Sequence, residues 1–216
     1  MTKYIVLEGV EGVGKTTQVQ KIVDYLKSKG FKVLHTKEPG IQHLPLTMKL
    51  REIMLSSEFD NQLTITAREF ISQAIRSIHL EKLILPQLTK NSEYDFIIQD
   101  RGIISGLAYG EACGNDINFL FNLIEKVIQP LNKTVYSIYD HVIYLKGDTK
   151  KFLQKALECK QEYSAGDAIE AKGLDFMKNV ELLMESHISK FNTTTIYVDN
   201  KDIETVFEEI KTKLDI

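Results

Sequence analysis

The feature that most constrains this 216-residue chain is a glycine-bearing loop near its amino terminus. Residues 4–7 form an apolar run typical of a buried strand, and residues 18–26 show the spacing of an amphipathic helix. Between them, residues 9–16 read G-V-E-G-V-G-K-T and satisfy the pattern G-x-x-x-x-G-K-[ST]. This pattern between a strand and a helix predicts a P-loop, which binds the phosphates of a nucleoside triphosphate.

The residue types in this loop predict binding of ATP together with Mg²⁺. Its three glycines allow consecutive backbone N–H groups to point at phosphate oxygens. Lys15 is predicted to neutralise the β- and γ-phosphates, and the Thr16 hydroxyl is predicted to ligate Mg²⁺. The predicted ATP-binding residues of the loop are Gly9, Gly12, Val13, Gly14, Lys15, Thr16 and Thr17.

The rest of the chain alternates short apolar segments with amphipathic stretches. Further strands are predicted at residues 31–34, 96–99, 142–145 and 195–198, and further helices at 46–55, 66–85 and 203–214. Such alternation predicts an α/β fold, in which helices cover both faces of a mostly parallel sheet. We expect residues 1–216 to form a single domain with its ligands at the carboxyl ends of the strands.

Charged residues at predicted strand ends are candidates for phosphoryl transfer, which needs cations around the phosphates and an acceptor held in line. Asp100 and Arg101 follow one buried strand, and Lys37 follows another. A carboxylate in the position of Asp100 is well placed to hold Mg²⁺ through water. The arginines on the intervening helices are either acceptor contacts or solvated surface cations; they are Arg51, Arg68 and Arg76.

Composition and charge argue against several other classes of protein. The formal net charge is −3 and no dense basic block is present, so nucleic acid and anionic membranes are not expected partners. No apolar run is long enough to span a bilayer, and the first residues lead directly into the phosphate loop, so we expect a cytoplasmic protein. The two cysteines lack C-x-x-C spacing, and the five histidines lack metal-ligand spacing and are predicted to lie on the surface.

Four segments, the first of which includes the phosphate loop, make the chain resemble the thymidylate kinase family of P-loop nucleoside monophosphate kinases. Residues 7–17 are similar to the family's first motif, including an acidic residue at Glu11. Residues 37–40, K-E-P-G, are similar to its R-E-P-G element, and residues 100–109 resemble its D-R-Y-x-x-S-x-x-A-Y element. Residues 167–170 resemble the D-R-I-E stretch near the family's mobile lid.

The resemblance implies a P-loop NTPase fold with a five-stranded parallel sheet, a short helical lid at about residues 150–172, and a homodimer. It implies ATP- and Mg²⁺-dependent phosphorylation of a deoxynucleoside monophosphate, with dTMP the expected acceptor. The implied catalytic residues are Glu11, Lys15, Asp100 and Arg101, with Lys155 of the lid as an ATP contact. The implied acceptor-binding residues are Glu11, Lys37, Pro39, Arg51, Ser72, Arg76, Arg101, Ser105 and Tyr109.

The family also implies individual roles in acceptor binding. Arg51 and Arg101 would lie near the acceptor's phosphate, and Arg76 near the edge of its base. Glu11 would lie beside the sugar and the transferred phosphate.

Several residues depart from the family pattern around the acceptor. Ser72 stands where the family has a Phe that stacks on thymine, Gly102 where it has Tyr, and Gly110 where it has Gln. These short residues predict a pocket larger than one for thymidylate. The chain therefore leaves open an acceptor that is a modified or bulkier deoxynucleotide, or a base within DNA.

A second departure concerns the catalytic arginine that family members supply from the lid or the phosphate loop. Ala168 and Gly12 stand at these two positions. Either Lys155 or Lys160 replaces the missing cation, or the catalyst is weak or altered in its acceptor. A non-catalytic nucleotide-binding protein is a further alternative.

Overall fold

The computed structural model describes residues 2–154 and 172–216, and its central feature is a five-stranded sheet. The strands are β1 (Lys3–Glu8), β2 (Val33–Lys37), β3 (Phe96–Asp100), β4 (His141–Lys146) and β5 (Thr193–Tyr197). All neighbouring strands are parallel, and their order is β2-β3-β1-β4-β5. The predicted α/β class and five-stranded parallel sheet are therefore confirmed.

Helices connect and cover these strands. They are α1 (Lys15–Ser28), α2 (Pro45–Leu55), α3 (Ile65–His79), α4 (Ile103–Ala112), α5 (Ile117–Ile128), α6 (Gly173–Ile188) and α7 (Ile203–Leu214). Residues 149–154 are helical as well. In the described part of the chain, no helix is both long and apolar enough to cross a membrane.

The largest differences between predicted and observed elements concern β2 and α3, while β5 begins at Thr193 rather than at residue 195. The second strand covers Val33–Lys37 rather than 31–34, because its pairing begins where Val33 lies beside Phe96 of β3. Phe31 instead lies outside the sheet, with its ring edge-on to that of Phe96. Helix α3 ends at His79 rather than at residue 85, and the chain continues as a π-helical turn and then a 3₁₀ turn that contains Pro86.

The helices pack on the sheet in two groups. Helix α1 contacts β3 and α7, and Gln18 Nε2 donates a hydrogen bond of 2.9 Å to the carbonyl of Ile203. Helix α4 packs against α5 and α6. The apolar stripe of α5 enters the core through Leu120, Ile124 and Ile128, all of which are buried.

Strand register brings the chemically important residues to one edge of the sheet. Asp100, the last residue of β3, lies beside Leu7 of β1 on one side and Lys37 of β2 on the other. The segments that follow these three strands therefore leave the sheet together. They contain the phosphate loop, Arg101 and Glu38, so the sheet itself gathers the candidate site.

Candidate active site

The phosphate loop wraps tightly around the carboxyl end of β1. Gly9 has φ of +144°, and a Cβ there would lie 2.5 Å from the carbonyl oxygen of Leu145. Helix α1 follows Gly14 without a side-chain cap, so its first N–H groups stay available to an anion. Lys15 is buried and donates a 2.6 Å hydrogen bond to the carbonyl of Val10.

The electrostatics of Lys15 reflect this buried position. Burial, assisted by the positive charge of Arg101, lowers the pKa of the Lys15 ammonium to about 7. A phosphate placed beside Lys15 would supply the opposite charge that favours its protonated form.

Thr16 and Asp100 form a pair beneath this loop that fits a hydrated Mg²⁺. The Thr16 hydroxyl donates to Asp100 Oδ2 over 2.6 Å, and Lys37 Nζ lies 3.4 Å from the same oxygen. Burial opposes ionisation of Asp100, but Lys37 and Lys15 hold the pKa of its carboxyl below the ordinary value. Asp100 Oδ1 is buried without a hydrogen-bond partner. An ionised carboxylate with an unused oxygen, next to a hydroxyl, suits a hard cation or its bound water.

Arg101 adopts a left-handed backbone conformation with φ of 64°, which costs a non-glycine residue free energy. This conformation aims its guanidinium back across the phosphate loop. Nη2 donates to Glu11 over 2.6 Å, and Nη1 donates to the carbonyl of Gly9 and to Ser105 Oγ over 3.0 and 3.2 Å. The guanidinium also lies over the Tyr109 ring.

Glu8 supports this arrangement and was missed by the sequence analysis. It is fully buried, and its Oε1 accepts hydrogen bonds from the N–H groups of Gly102 and Ser105, while the Ser105 hydroxyl donates to Oε2. Since Gly102 provides no side-chain cap for α4, Glu8 of β1 satisfies two of the N–H groups at its start, and the Tyr139 hydroxyl accepts a hydrogen bond from the N–H of Ile103. Its place at the end of a strand, directly before the loop, was the available signal.

Arg76 of α3 belongs to a buried hydrogen-bond network. Its Nε donates to Glu38 Oε2 over 3.1 Å, and its Nη1 donates to Gln73 Oε1 over 2.9 Å. The second Glu38 oxygen is 2.8 Å from His79 Nδ1, and His79 Nε2 is 2.8 Å from the Thr36 hydroxyl. Burial opposes ionisation of Glu38, yet the charge of Arg76 and the hydrogen bond with His79 hold the pKa of its carboxyl below the ordinary value.

The same network explains a glycine on α4. A Cβ at position 106 would lie 3.2 Å from Arg76 Cζ and closer still to Nη2. The guanidinium therefore lies directly against the backbone of α4 at Gly106. Among the described residues, Arg76 Nη2 has no hydrogen-bond partner, so this donor remains for a ligand in the pocket.

These groups surround one cavity of about 680 Å³. All of the predicted acceptor-binding residues line it: Glu11, Lys37, Pro39, Arg51, Ser72, Arg76, Arg101, Ser105 and Tyr109. Arg68 lines it as well, although its guanidinium is held by Asp60 and by the carbonyl of Met54. The three arginines of the intervening helices, Arg51, Arg68 and Arg76, thus all line the same cavity.

The prediction that Gly102 and Gly110 enlarge this pocket is wrong. A Cβ at position 102 would lie 2.9 Å from Cζ of Tyr139 and closer still to the Tyr139 hydroxyl oxygen. A Cβ at position 110 would lie 3.0 Å from both Leu120 methyl groups and 3.1 Å from Glu69 Oε2. Side chains from other elements therefore fill the space beside both glycines.

The prediction that the histidines lie on the surface is also wrong for two of them. His79 is fully buried in the network with Glu38. His187 is also buried, and its Nε2 lies 3.2 Å from Glu111 Oε2. His79 lies one helical turn beyond Arg76, which was the signal that it shares the buried face of α3. No cluster of three or more metal-binding side chains occurs within residues 2–154 and 172–216.

Part of the predicted site lies outside the described residues. This holds for Lys155, Lys160 and Ala168, and for most of the predicted lid at 150–172. Lys172, at the end of that range, lines the cavity.

Comparison with known proteins gives one consistent result. A family model described as "Thymidylate kinase" matches residues 7–210. A Campylobacter concisus protein named "Thymidylate kinase" is 35% identical over 211 residues, covering 96% of each chain. Proteins of the same name from Mesoplasma florum and Aliarcobacter butzleri are 33% and 29% identical, covering 96% and 99% of this chain and 92% and 99% of their own.

Proposed function

Because the chain belongs to the thymidylate kinase family, and is therefore a nucleoside monophosphate kinase, we propose that it transfers the γ-phosphate of ATP to dTMP, yielding dTDP. The observation that supports this proposal most directly is the cavity beside the phosphate loop, which is lined by Arg51, Arg76 and Arg101. We propose that residues 1–216 act as one kinase domain.

The donor nucleotide would bind at the loop between β1 and α1. The backbone N–H groups of the loop and the start of α1 would hold the phosphates, while Lys15 would leave the Val10 carbonyl and contact the β- and γ-phosphates. This exchange replaces a neutral partner of Lys15 by an anionic one.

Thr16 and Asp100 would hold Mg²⁺, with Asp100 acting partly through water. The ion neutralises phosphate charge when it is bound with ATP. The supporting observation is the ionised, buried Asp100 carboxylate with its unpartnered Oδ1. Lys37 adds a positive charge beside the same carboxylate.

The acceptor phosphate would lie between Arg101 and Arg51. Tyr109, together with the carboxylates of Glu11 and Asp100, outweighs the effect of burial and raises the pKa of the Arg101 guanidinium, so its positive charge is retained near neutral pH. Glu11 holds Arg101 over 2.6 Å and lies at the border between the loop and the cavity. The pair is therefore placed where the two phosphates would meet.

The base would lie beside Arg76. Glu38 and Gln73 fix this guanidinium through two hydrogen bonds and leave Nη2 to donate to an acceptor on the ligand. A carbonyl at position 4 of thymine or uracil suits this donor, whereas the amino group of cytosine does not. Pro39 and Ser72 complete the wall around this position.

The cation that completes the transition state would come from Lys155 or Lys160, because neither Gly12 nor Ala168 can supply an arginine. Substituting each lysine by Met in the full chain tests this assignment. A loss in kcat at saturating ATP and dTMP would identify the contributing residue.

We also propose a homodimer located in the cytoplasm. Phe70 on α3 exposes 53% of its surface, and its ring lies edge-on to Phe119 of α5. An exposed aromatic ring that packs onto the apolar side chain of a neighbouring helix suits a protein interface. Light scattering on the purified chain tests the dimer, and subcellular fractionation tests the location.

The experiment that tests the main proposal is a coupled assay of ADP formation with dTMP, dUMP and the other monophosphates. We expect turnover with dTMP that requires Mg²⁺, and loss of turnover in Lys15→Ala. Lys213→Ala, at an exposed position near the carboxyl end of α7, serves as the matched control and should retain activity. Absence of turnover with every monophosphate would refute the proposal.

A further inference from the structure

The cavity continues beyond Arg76 into a second, polar region that we call the distal end, defined by Ser72, Glu69, Cys113 and Asn115. Two glycines of α4 mark the direction along the cavity. Arg76 lies against Gly106, and Glu69 lies against Gly110, one turn further from Ser105 and the phosphate loop. The rise of an α-helix places these two points about 6 Å apart.

Glu69 is the distinctive group of the distal end. Only 6% of it is exposed, and its Oε1 accepts a 2.6 Å hydrogen bond from Gln73 Nε2. Its other oxygen, Oε2, faces α4 beside Gly110 and accepts no hydrogen bond from any residue that the structure describes. An unpartnered carboxylate oxygen, on a side chain more than nine-tenths buried, thus lines the end of the acceptor pocket.

A carboxylate of this kind selects among ligands because it can only accept hydrogen bonds. A base seated with a carbonyl at Arg76 would displace water from the distal end, and an apolar group beside Glu69 Oε2 would leave that oxygen without a partner. A hydroxyl or amino group in the same place would donate to it. Ser72 favours access to this position, because its short side chain lies on α3 between Arg76 and Glu69.

We propose that Glu69 is a specificity-determining residue that binds a hydrogen-bond-donating substituent on the acceptor base. The ligand class is a deoxypyrimidine monophosphate with a carbonyl at position 4 and a hydroxymethyl or aminomethyl group at the neighbouring position 5. This inference rests on the proposed function, since it assigns a preference within the same acceptor site. The enzyme then binds dTMP in the same way but leaves Glu69 Oε2 unpaired.

The test compares kcat/KM for dTMP, 5-hydroxymethyl-dUMP and 5-aminomethyl-dUMP with the full-length chain. We expect at least one substituted nucleotide to exceed dTMP by about tenfold, which corresponds to about 1.4 kcal/mol. A greater gain from the aminomethyl group indicates recognition of positive charge, and an equal gain indicates recognition of the donor alone. Both outcomes support the proposal.

Glu69→Gln supplies the second arm, because it keeps the shape of the side chain and replaces one acceptor oxygen by a donor group. We expect the ratio of kcat/KM between the substituted nucleotide and dTMP to fall about tenfold, or about 1.4 kcal/mol. Glu125→Gln, on an exposed position of α5, is the matched control and should keep the wild-type ratio.

Two results would overturn the inference. One is a wild-type enzyme that uses dTMP as well as or better than both substituted nucleotides, which decides the question even if Glu69→Gln does not fold. The other is an unchanged ratio in folded Glu69→Gln. Wild-type enzyme that phosphorylates no monophosphate contradicts the proposed function instead, so the two failures are distinguishable.

Discussion

Replacing Glu38 by Gln should destabilise the protein strongly. Among the described residues, Glu38 is the only acidic side chain that directly contacts two buried basic side chains. It bonds Arg76 Nε over 3.1 Å and His79 Nδ1 over 2.8 Å. Arg76 and His79 expose 4% and 0% of their surfaces, so water cannot replace a lost partner. Glu38→Gln keeps the size of the side chain and removes its charge.

The magnitude follows from this burial. Breaking a buried ion pair from one side costs about 3–5 kcal/mol. We expect the lower value, about 3 kcal/mol, because His79 can change tautomer and still bond both the new amide group and the Thr36 hydroxyl. For a chain of this length, such a loss lowers Tm by about 6–12 °C.

The effect should also depend on pH. The pKa of Glu38 is depressed in the folded protein, so its contribution to stability is complete above the unfolded pKa of about 4.3. It is then lost as pH falls through the folded pKa. The difference between wild type and Glu38→Gln should therefore be constant from pH 7 to about 5 and should narrow below about pH 4.

Urea unfolding at a series of pH values measures both effects, with thermal unfolding as an independent check. Glu208→Gln is the control, because it breaks an exposed pair with Lys211 on α7 and should cost only about 0.3–0.5 kcal/mol. In the double variant with Arg76→Met, the losses should fall short of additivity by about 0.5–3 kcal/mol. A loss below about 1 kcal/mol for Glu38→Gln at pH 7 would refute the reasoning, since exposed pairs reach that value.

Three further predictions concern ligand binding. Because the pKa of Lys15 is about 7 in the free protein, binding of ATP requires proton uptake at higher pH. The Kd of a non-hydrolysable ATP analogue, measured by calorimetry, should therefore rise by up to about tenfold per pH unit above 7. Lys15→Met should remove this pH dependence of the Kd. Asp100→Asn should raise the Mg²⁺ concentration for half-maximal activity by about 10–100-fold, and an unchanged Mg²⁺ titration would contradict its assigned role. Gly106→Ala places a methyl group against the Arg76 guanidinium, so KM for dTMP should rise by about 10–100-fold while kcat at saturation changes less; equal KM values would show that Arg76 does not contact the acceptor.

The elements that the sequence predicted well depend on local patterns. The phosphate loop carries its own signal, since glycines, Lys15 and Thr16 occur at fixed spacing between a strand and a helix. The convergence of the predicted residues on one cavity follows from a general property of parallel sheets, whose strands end at a common edge. The start of β2 was predicted two residues too early, because the apolar Phe31 resembles the start of a strand. Pairing of Val33 with Phe96 sets the actual start.

The features that the sequence did not predict depend on contacts between distant parts of the chain. Nothing near Gly102 in the sequence indicates that Tyr139 fills the adjacent space, and nothing near Gly110 indicates that Glu69 does so. The pocket was therefore predicted to be too open at two positions. The identification of His79 as a surface residue failed for a related reason, because its partners Thr36 and Glu38 lie more than 40 residues away.

The central position of β1 has a consequence for the order in which the protein can assemble during synthesis. Its two neighbours in the sheet are β3 and β4, which begin at Phe96 and His141. The phosphate loop, although it is among the first segments to be made, is enclosed only when Leu145 reaches Gly9. Contacts at such separation form slowly compared with local helices. A nascent chain that ends before β4 should therefore carry the complete nucleotide-binding motif and still be unable to bind ATP.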